Sequence, residues 1–252
     1  MTNRINLTEC EWTKIYSFLV LYRDIRVRDE SRCRQFIHAV LWILRTGSQW
    51  RQLPIEHGNW NSVFKRFSRW SQFGIWQDML QLFALDGDYQ HISIDSTVIR
   101  AHACSAGAEG SSEEQEALGR SKGGFSCKVH GTCEALGYPV RFILTPGQDA
   151  DITQAIPLID GIKTEAVLAD KGYDADEFIE NIQKNDAQAV IPPRANRKNP
   201  RKCDWWLYKE RHAIECMFGK LKYYRRISSR FEKKAINYLA MLSFAGCLLW
   251  LR

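Results

Sequence analysis

The sequence predicts an α/β fold: a mixed sheet with packed helices, preceded by a small all-α unit of helix-turn-helix type. Up to Leu85 the apolar residues recur at helical spacing. After the turn Asp86-Gly87-Asp88 the period drops to two in HISIDSTVI, where Ile92 and Ile94 alternate with Ser93 and Asp95. From there the chain reads strand, strand, strand, helix, strand, helix, strand, helix. The turn divides the chain into residues 1–87 and residues 88–252.

In the first part, Thr8 and Glu11 form a capping box ahead of an amphipathic helix from Trp12 to about Tyr22. A second helix is expected from Asp29 to Thr46, with Gly47 placed to stop it. Asn59 or Asn61 caps a third, which turns Val63, Phe64, Phe67 and Trp70 inward and Lys65, Arg66 and Arg69 outward. A fourth runs from Ile75 to Leu85. A basic third helix suits DNA contact, although the loop before it exceeds the usual 3–4 residue turn; plain helical packing is the alternative.

In the second part, residues 104–124 are small and polar and read as a mobile loop that orders only on DNA. Phe125–Cys133 and Tyr138–Thr145 form a hairpin through Ala135-Leu136-Gly137. Ile152–Ile162 reads as a helix and Ala166–Ala169 as a short buried strand ending at Asp170. Asp174 is expected to cap a helix to Lys184, and a strand at Ala189–Ile191 stops at Pro192-Pro193. A basic loop, RANRKNPRKC, precedes a helix from Tyr208 to Lys222, and Phe231–Leu251 is the last helix.

Composition narrows the classes. Apolar residues make up 45% of 252, with nine Trp, enough for a sizeable core. The N-terminus lacks a signal peptide's apolar stretch, and the apolar run Tyr238–Leu251 is too short to span a bilayer. A cytoplasmic, nucleoid-associated chain is expected. The eight cysteines include no CxxC pair, so buried free thiols are a better reading than a zinc site. The net charge of +6 is partitioned. Residues 1–90 hold 12 basic and 9 acidic side chains (+3), residues 91–191 hold 8 and 16 (−8), and residues 192–252 hold 15 and 4 (+11). An acidic middle suits a hydrated cation and a basic end suits phosphate.

On a helix, Tyr208, Arg211, Glu215 and Lys222 share one stripe, and Ile214, Met217, Phe218 and Leu221 form a neighbouring apolar one. Alone, Arg211 and Glu215 are readable as a surface ion pair. Two further carboxylates change that reading. Asp95 sits inside a strand, where an unpartnered charge is costly. Asp170 follows Val167-Leu168-Ala169 at a strand's carboxyl end, where open α/β sheets place ligands. Three such groups, Asp95, Asp170 and Glu215, suit Mg²⁺ or Mn²⁺, and a pair of ions about 3.5–4 Å apart suits phosphodiester chemistry. Arg211 and Lys222 would then hold phosphate. Asp151 is a weaker candidate beside the metal. His102 and Lys122 are weak DNA candidates, Lys128 and His130 share one strand face, and Tyr208 either stacks on a base or packs on its helix.

These residues resemble the DDE transposases of bacterial insertion sequences, closest to the group numbered five and its relatives. The resemblance rests on ISIDSTVIRAH, GRSKGGFSCKVH, TPGQDADIT, LADKGYDAD and the Y-x-x-R-x-x-x-E-x-x-x-x-x-x-K spacing at Tyr208, Arg211, Glu215 and Lys222. WILRTGSQWRQLP and NWNSVFKRFSRW extend it over nearly the whole chain. It implies an RNase H-like core with Asp95, Asp170 and Glu215 as metal ligands. It further implies binding to double-stranded DNA at terminal inverted repeats, cleavage there, joining of 3′-hydroxyl ends to a target, and a homodimer or larger assembly on paired ends. A nuclease without joining, or a DNA-binding module with an inert core, remain alternatives.

Overall fold

A computed structural model describes residues 6–22, 25, 27, 29–121 and 123–252. Four helices come first: α1 (Glu9–Leu21), α2 (Glu30–Thr46), α3 (Trp60–Gln72) and α4 (Ile75–Ala84). The capping box forms as expected: Thr8 Oγ1 accepts from Glu11 N, and Glu11 Oε2 accepts from Thr8 N at 2.7 Å. Gly47 ends α2 at φ 69°, in the left-handed region that favours glycine, and Asn59 caps α3. Two short 3-10 turns, Trp50–Gln52 and Ile55–His57, fill the loop between α2 and α3.

The sheet contains β1 (His91–Arg100), β2 (Gly119–Ser121), β3 (Gly124–Glu134), β4 (Pro139–Pro146), β5 (Ala166–Leu168) and β6 (Gln188–Val190). Its order is β2-β3-β1-β5-β6, with β4 also on β3. β1 is antiparallel to β3 and parallel to β5, and β5 is parallel to β6. Alternation along β1 divides the chemistry. Ile92 and Ile94 face a core shared with α5 (Ala155–Ile159) and α6 (Asp176–Lys184). Asp95, Thr97 and Ile99 face α7 (His212–Lys222) and the helices beyond it.

On that second side one apolar cluster runs from Leu7 to Leu249 and joins the N-terminal helices to the sheet. Its centre is α9 (Ala235–Trp250), an almost wholly buried helix against which α4 packs, with the Trp76 and Phe244 rings 5.0 Å apart. A buried ion pair ties the same parts together. Arg226, on α8 (Arg225–Ser228), donates to Glu232 at 2.6 Å and to the Ser48 carbonyl at 3.0 Å, and Trp50 Nε1 also donates to Glu232.

Several local expectations are corrected. The helix at 152–162 reduces to a 3-10 turn, Asp151–Gln154, and the short α5; Gly161, at φ 72°, turns the chain away. Asp174 does not cap α6, whose N-cap is Ala175, because ion pairs to Arg197 and Arg201 hold its carboxylate. The arginines of the basic loop are therefore engaged; Arg194 also donates to the Lys171 and Gly172 carbonyls. The expected helix at Tyr208 starts as a 3-10 turn, Leu207–Arg211, and becomes α-helical only at His212. The expected last helix, Phe231–Leu251, is α9, which starts at Ala235; the short α8 precedes it.

The segment 104–121, expected as a loop, is anchored to the fold at its second half. Leu118 is buried, Glu116 accepts from Ala235 N at the start of α9, and β2 pairs with β3. Arg230, fully buried, fastens the segment by donating to the Ala117 carbonyl. All eight cysteines are free, but Cys10, Cys104 and Cys216 are exposed rather than buried. Among the described residues no helix is long and apolar enough to cross a membrane.

One position sets how closely α7 approaches the sheet. Gly131 lies opposite Asp95 in the β1–β3 register, and a Cβ there would lie 3.1 Å from both Met217 Cε and Phe218 Cζ. Gly131→Ala should therefore destabilise the protein by about 1 kcal/mol and Gly131→Val by about 1–3 kcal/mol, although both residues favour strands more than glycine does. Urea unfolding reads this; an unchanged or raised midpoint would contradict the tight seat.

Candidate active site

Asp95 lies midway along β1, past the end of β5 pairing, so its carboxylate opens toward α7 rather than onto a neighbouring strand. Its Oδ1 accepts from the Ser96 N–H at 2.7 Å, and its Oδ2 accepts from Arg211 at 2.8 Å. The other arm of the same guanidinium donates to Glu215, one turn into α7. Arg211 thus bridges a strand carboxylate and a helix carboxylate. Asp95 and Arg211 are largely covered, whereas the Glu215 side chain is 57% exposed.

Asp170 caps the 3-10 turn Lys171–Tyr173, its Oδ1 accepting from Gly172 N at 2.7 Å. Glycine at 172 suits this cap, because a Cβ there would come within 2.8 Å of that oxygen and force it to shift. Asp95 and Asp170 are near enough for their charges to interact. Burial pushes the Asp95 carboxyl above its ordinary range and the Asp170 charge adds to the rise; Ser96 N–H and Arg211 pull it back. The buried Tyr173 hydroxyl is also held well above its usual range, first by burial and then by the charges of Asp151, Asp95 and Asp170.

Behind β1 lies a polar support. Ser96 Oγ donates to Asp151 Oδ1 at 2.7 Å, and Lys128 Nζ pairs with the same carboxylate at 2.8 Å. His130, two residues along β3 and fully buried, bonds to Thr145 Oγ1 through Nε2 at 2.9 Å. Asp151 therefore braces the residue next to Asp95. At the far end of α7, Lys222 Nζ donates to Thr97 Oγ1 at 2.8 Å.

The donor chemistry suits a hard divalent cation: oxygen ligands only, one of them desolvated and flanked by a second negative charge. Among the described residues, however, no three His, Cys, Asp or Glu side chains are gathered as a ready cage. Arg211 lies between two of the candidate carboxylates and bonds both Asp95 and Glu215.

The remaining sequence candidates are distributed differently. Tyr208 is half-buried against Ala166, Leu168 and Val190, with Arg211 5.7 Å from its ring centre, so it packs rather than standing free. Lys65 and Arg69 are exposed on α3. Arg66 is not turned outward: its guanidinium lies 4.2 Å from the centre of the Phe36 ring and 4.7 Å from that of Trp70, because α3 packs its stem against α2. His102 is exposed and stacks on Phe231. Lys122 lies outside the described residues. Sequence reasoning missed Ser96, Thr97 and Tyr173, although each directly follows or closely trails a singled-out aspartate. It also passed over Trp205 and Trp206, which are 60% and 80% exposed just ahead of Tyr208.

Residues 86–250 match the family described as "Transposase DDE domain", and residues 7–80 match "Putative transposase of IS4/5 family". The chain belongs to the DDE transposases of bacterial insertion sequences. A putative transposase for insertion sequence element IS6501 of Brucella ovis is 43% identical over 129 residues, half of this chain and 98% of that protein. A putative transposase for IS402 of Burkholderia cepacia is 30% identical over 134 residues, covering 48% of this chain and 61% of its own length. Among solved structures, a piggyBac transposase synaptic complex with hairpin DNA aligns over 94% of this chain and 69% of that one, with a TM-score of 0.55 and 10% identity. At that identity the likeness concerns the fold, and it agrees with an RNase H-like sheet in this transposase.

The buried His130 gives the site's support a pH signature. Burial lowers its pKa from 6.5 to about 4, against the opposing pull of Asp151. Below pH 6.5 the unfolded chain then binds a proton that the folded chain does not, so stability falls as pH drops from 6.5 toward 4. The loss should reach about 3 kcal/mol. Urea unfolding across that range should show a flatter slope for His130→Asn than for wild type; parallel slopes would contradict it.

Proposed function

We propose that this transposase binds the inverted-repeat ends of an insertion sequence, cleaves them in a metal-dependent reaction and joins the freed 3′-hydroxyl ends to target DNA. The observation that carries this reading is the Arg211 bridge between Asp95 and Glu215, with Asp170 close enough to perturb Asp95. Asp95, Asp170 and Glu215 are the catalytic carboxylates and would hold Mg²⁺ or Mn²⁺, two ions in all. When bound, such ions activate an attacking oxygen and stabilise the leaving oxygen of a phosphodiester.

The chain's own residues do the rest. Asp95 is fixed by the Ser96 N–H, and Ser96 in turn by Asp151 and Lys128, so one ligand is positioned before DNA arrives. Asp170 is held by its own capping turn. Glu215, the exposed member, is the one free to swing inward. Arg211 balances two carboxylates in the free protein; once released, its planar fork matches a phosphate bidentately. Lys222 extends the phosphate-binding edge, and Tyr208, partly buried, presents its remaining face to a DNA base.

Residues 88–252 are the catalytic part and residues 1–87 the end-recognising part, with Lys65 and Arg69 as its DNA contacts. The boundary separates roles rather than cores, since both parts share one apolar cluster. Arg66 serves that part through packing. The active form is a homodimer or larger assembly on paired ends, working in the cytoplasm on nucleoid DNA.

Asp95→Asn, Asp170→Asn and Glu215→Gln should each lose cleavage and joining in Mg²⁺ while keeping end binding within a few-fold of wild type. Substantial cleavage by any one of them removes that residue from the site. A labelled 3′-hydroxyl end should also become joined to a target plasmid; cleavage without joining would reduce the reading to a nuclease. Lys222→Ala should weaken binding and lower the log–log salt slope by about one phosphate contact, roughly 0.9; an unchanged slope would deny the contact.

A further inference from the structure

Helix α7 has a second functional edge. Lys220 lies about 140° around the axis from Glu215, at 100° per residue, and so faces away from the carboxylates. There it meets a cavity of about 360 Å³ lined by Arg45, Gly137, Tyr138, Lys220, Tyr224, Leu249 and Arg252. Four elements enclose it: the end of α2, the β3–β4 turn, the back of α7 and the end of α9.

The cavity is cationic. Three basic side chains reach it, and the acid that faces them is Glu11, nearly buried, which pairs with Arg252 at 3.0 Å and also caps α1. Among the described residues neither Arg45 nor Lys220 forms a salt bridge, although the Glu11 charge also acts on Arg45. Arg45 lies with its guanidinium 4.3 Å from the centre of the Tyr224 ring, and its Nε–H is buried without a hydrogen-bond partner among the described residues. Lys220 Nζ sits 6.0 Å from the centre of the Tyr138 ring. A buried, unanswered N–H on a cation costs free energy unless something accepts from it. The electron-rich faces of both tyrosines fix the charges in position instead of neutralising them.

We propose that this cavity is a phosphate-binding site separate from the carboxylate centre. A phosphate ester is the matching chemistry: acceptor oxygens for the Arg45 guanidinium fork, charge for Lys220 and Arg252, and a size well within the cavity. Two sources offer it, a backbone phosphate of bound DNA and a free mononucleotide. The site rests on binding alone and stands whether or not Asp95, Asp170 and Glu215 perform the proposed chemistry.

The test compares full-length wild type, Arg45→Gln and Lys220→Gln in two assays without divalent metal. Lys220 is half-exposed and its variant should fold normally, which keeps the test valid if Arg45→Gln unfolds. The first assay measures affinity for a duplex lacking any end sequence as a function of salt. The second titrates deoxyadenosine monophosphate and inorganic phosphate by calorimetry. If the source is DNA, each variant lowers the salt slope by roughly 0.9 and weakens low-salt binding several-fold. If it is a free phosphate ester, wild type gives a saturable heat that both folded variants lose, while the duplex slope stays unchanged. Unchanged slopes together with no variant-sensitive heat would overturn the proposal.

Discussion

The structure turns on the close seat of α7 against the sheet opposite Asp95. The absence of a side chain at Gly131 leaves room for the Met217 and Phe218 side chains, each of which would lie 3.1 Å from a Cβ there. Met217 and Phe218 fill the space over β3, and the α7 face beside them carries Glu215 toward β1. The 3-10 turn ahead of α7 then sets Arg211 at a distance from which one guanidinium reaches both Asp95 and Glu215.

The rest of the fold holds this arrangement rigid from both sides. On one side α9 and the N-terminal helices press α7 and α8 onto the sheet through a single cluster, reinforced by the buried Arg226–Glu232 pair. On the other, Asp151, Ser96 and Lys128 brace the back of β1. Only Glu215 is left largely exposed among the three carboxylates proposed as ligands. The proposed loading of metal therefore needs one side chain to move and one salt bridge to open, not a rearrangement of the sheet.

Much of this was legible in the sequence, for physical reasons that differ by element. The capping box at Thr8 and Glu11, the stop at Gly47 and the period change after Asp88 are local signals, and each element they mark is present. The family resemblance was readable because its motifs sit where short-range geometry is demanding: a carboxylate inside a strand, and a glycine two residues after Asp170. Several misreadings share one cause, which is that distant partners decided the outcome. Asp174 had the identity of a helix cap, but Arg197 and Arg201 claim it from more than twenty residues away. Polar composition made 104–121 look mobile, yet Glu116 and Arg230 fasten it to a part of the chain no window contains. Arg66 followed the outward side of α3 by periodicity, but its long stem found two aromatic faces.

The central claim is that Arg211 occupies ground between Asp95 and Glu215 that a divalent ion takes over in the working enzyme. Anomalous diffraction from crystals of the protein with Mn²⁺ and end DNA tests it most directly. The account predicts a peak about 2.0–2.3 Å from carboxylate oxygens of Asp95 and Asp170, Glu215 turned toward it, and the Arg211 guanidinium withdrawn from at least one of its two carboxylates. A peak bound elsewhere, or Mn²⁺ absent with the Arg211 bridge intact, would contradict it.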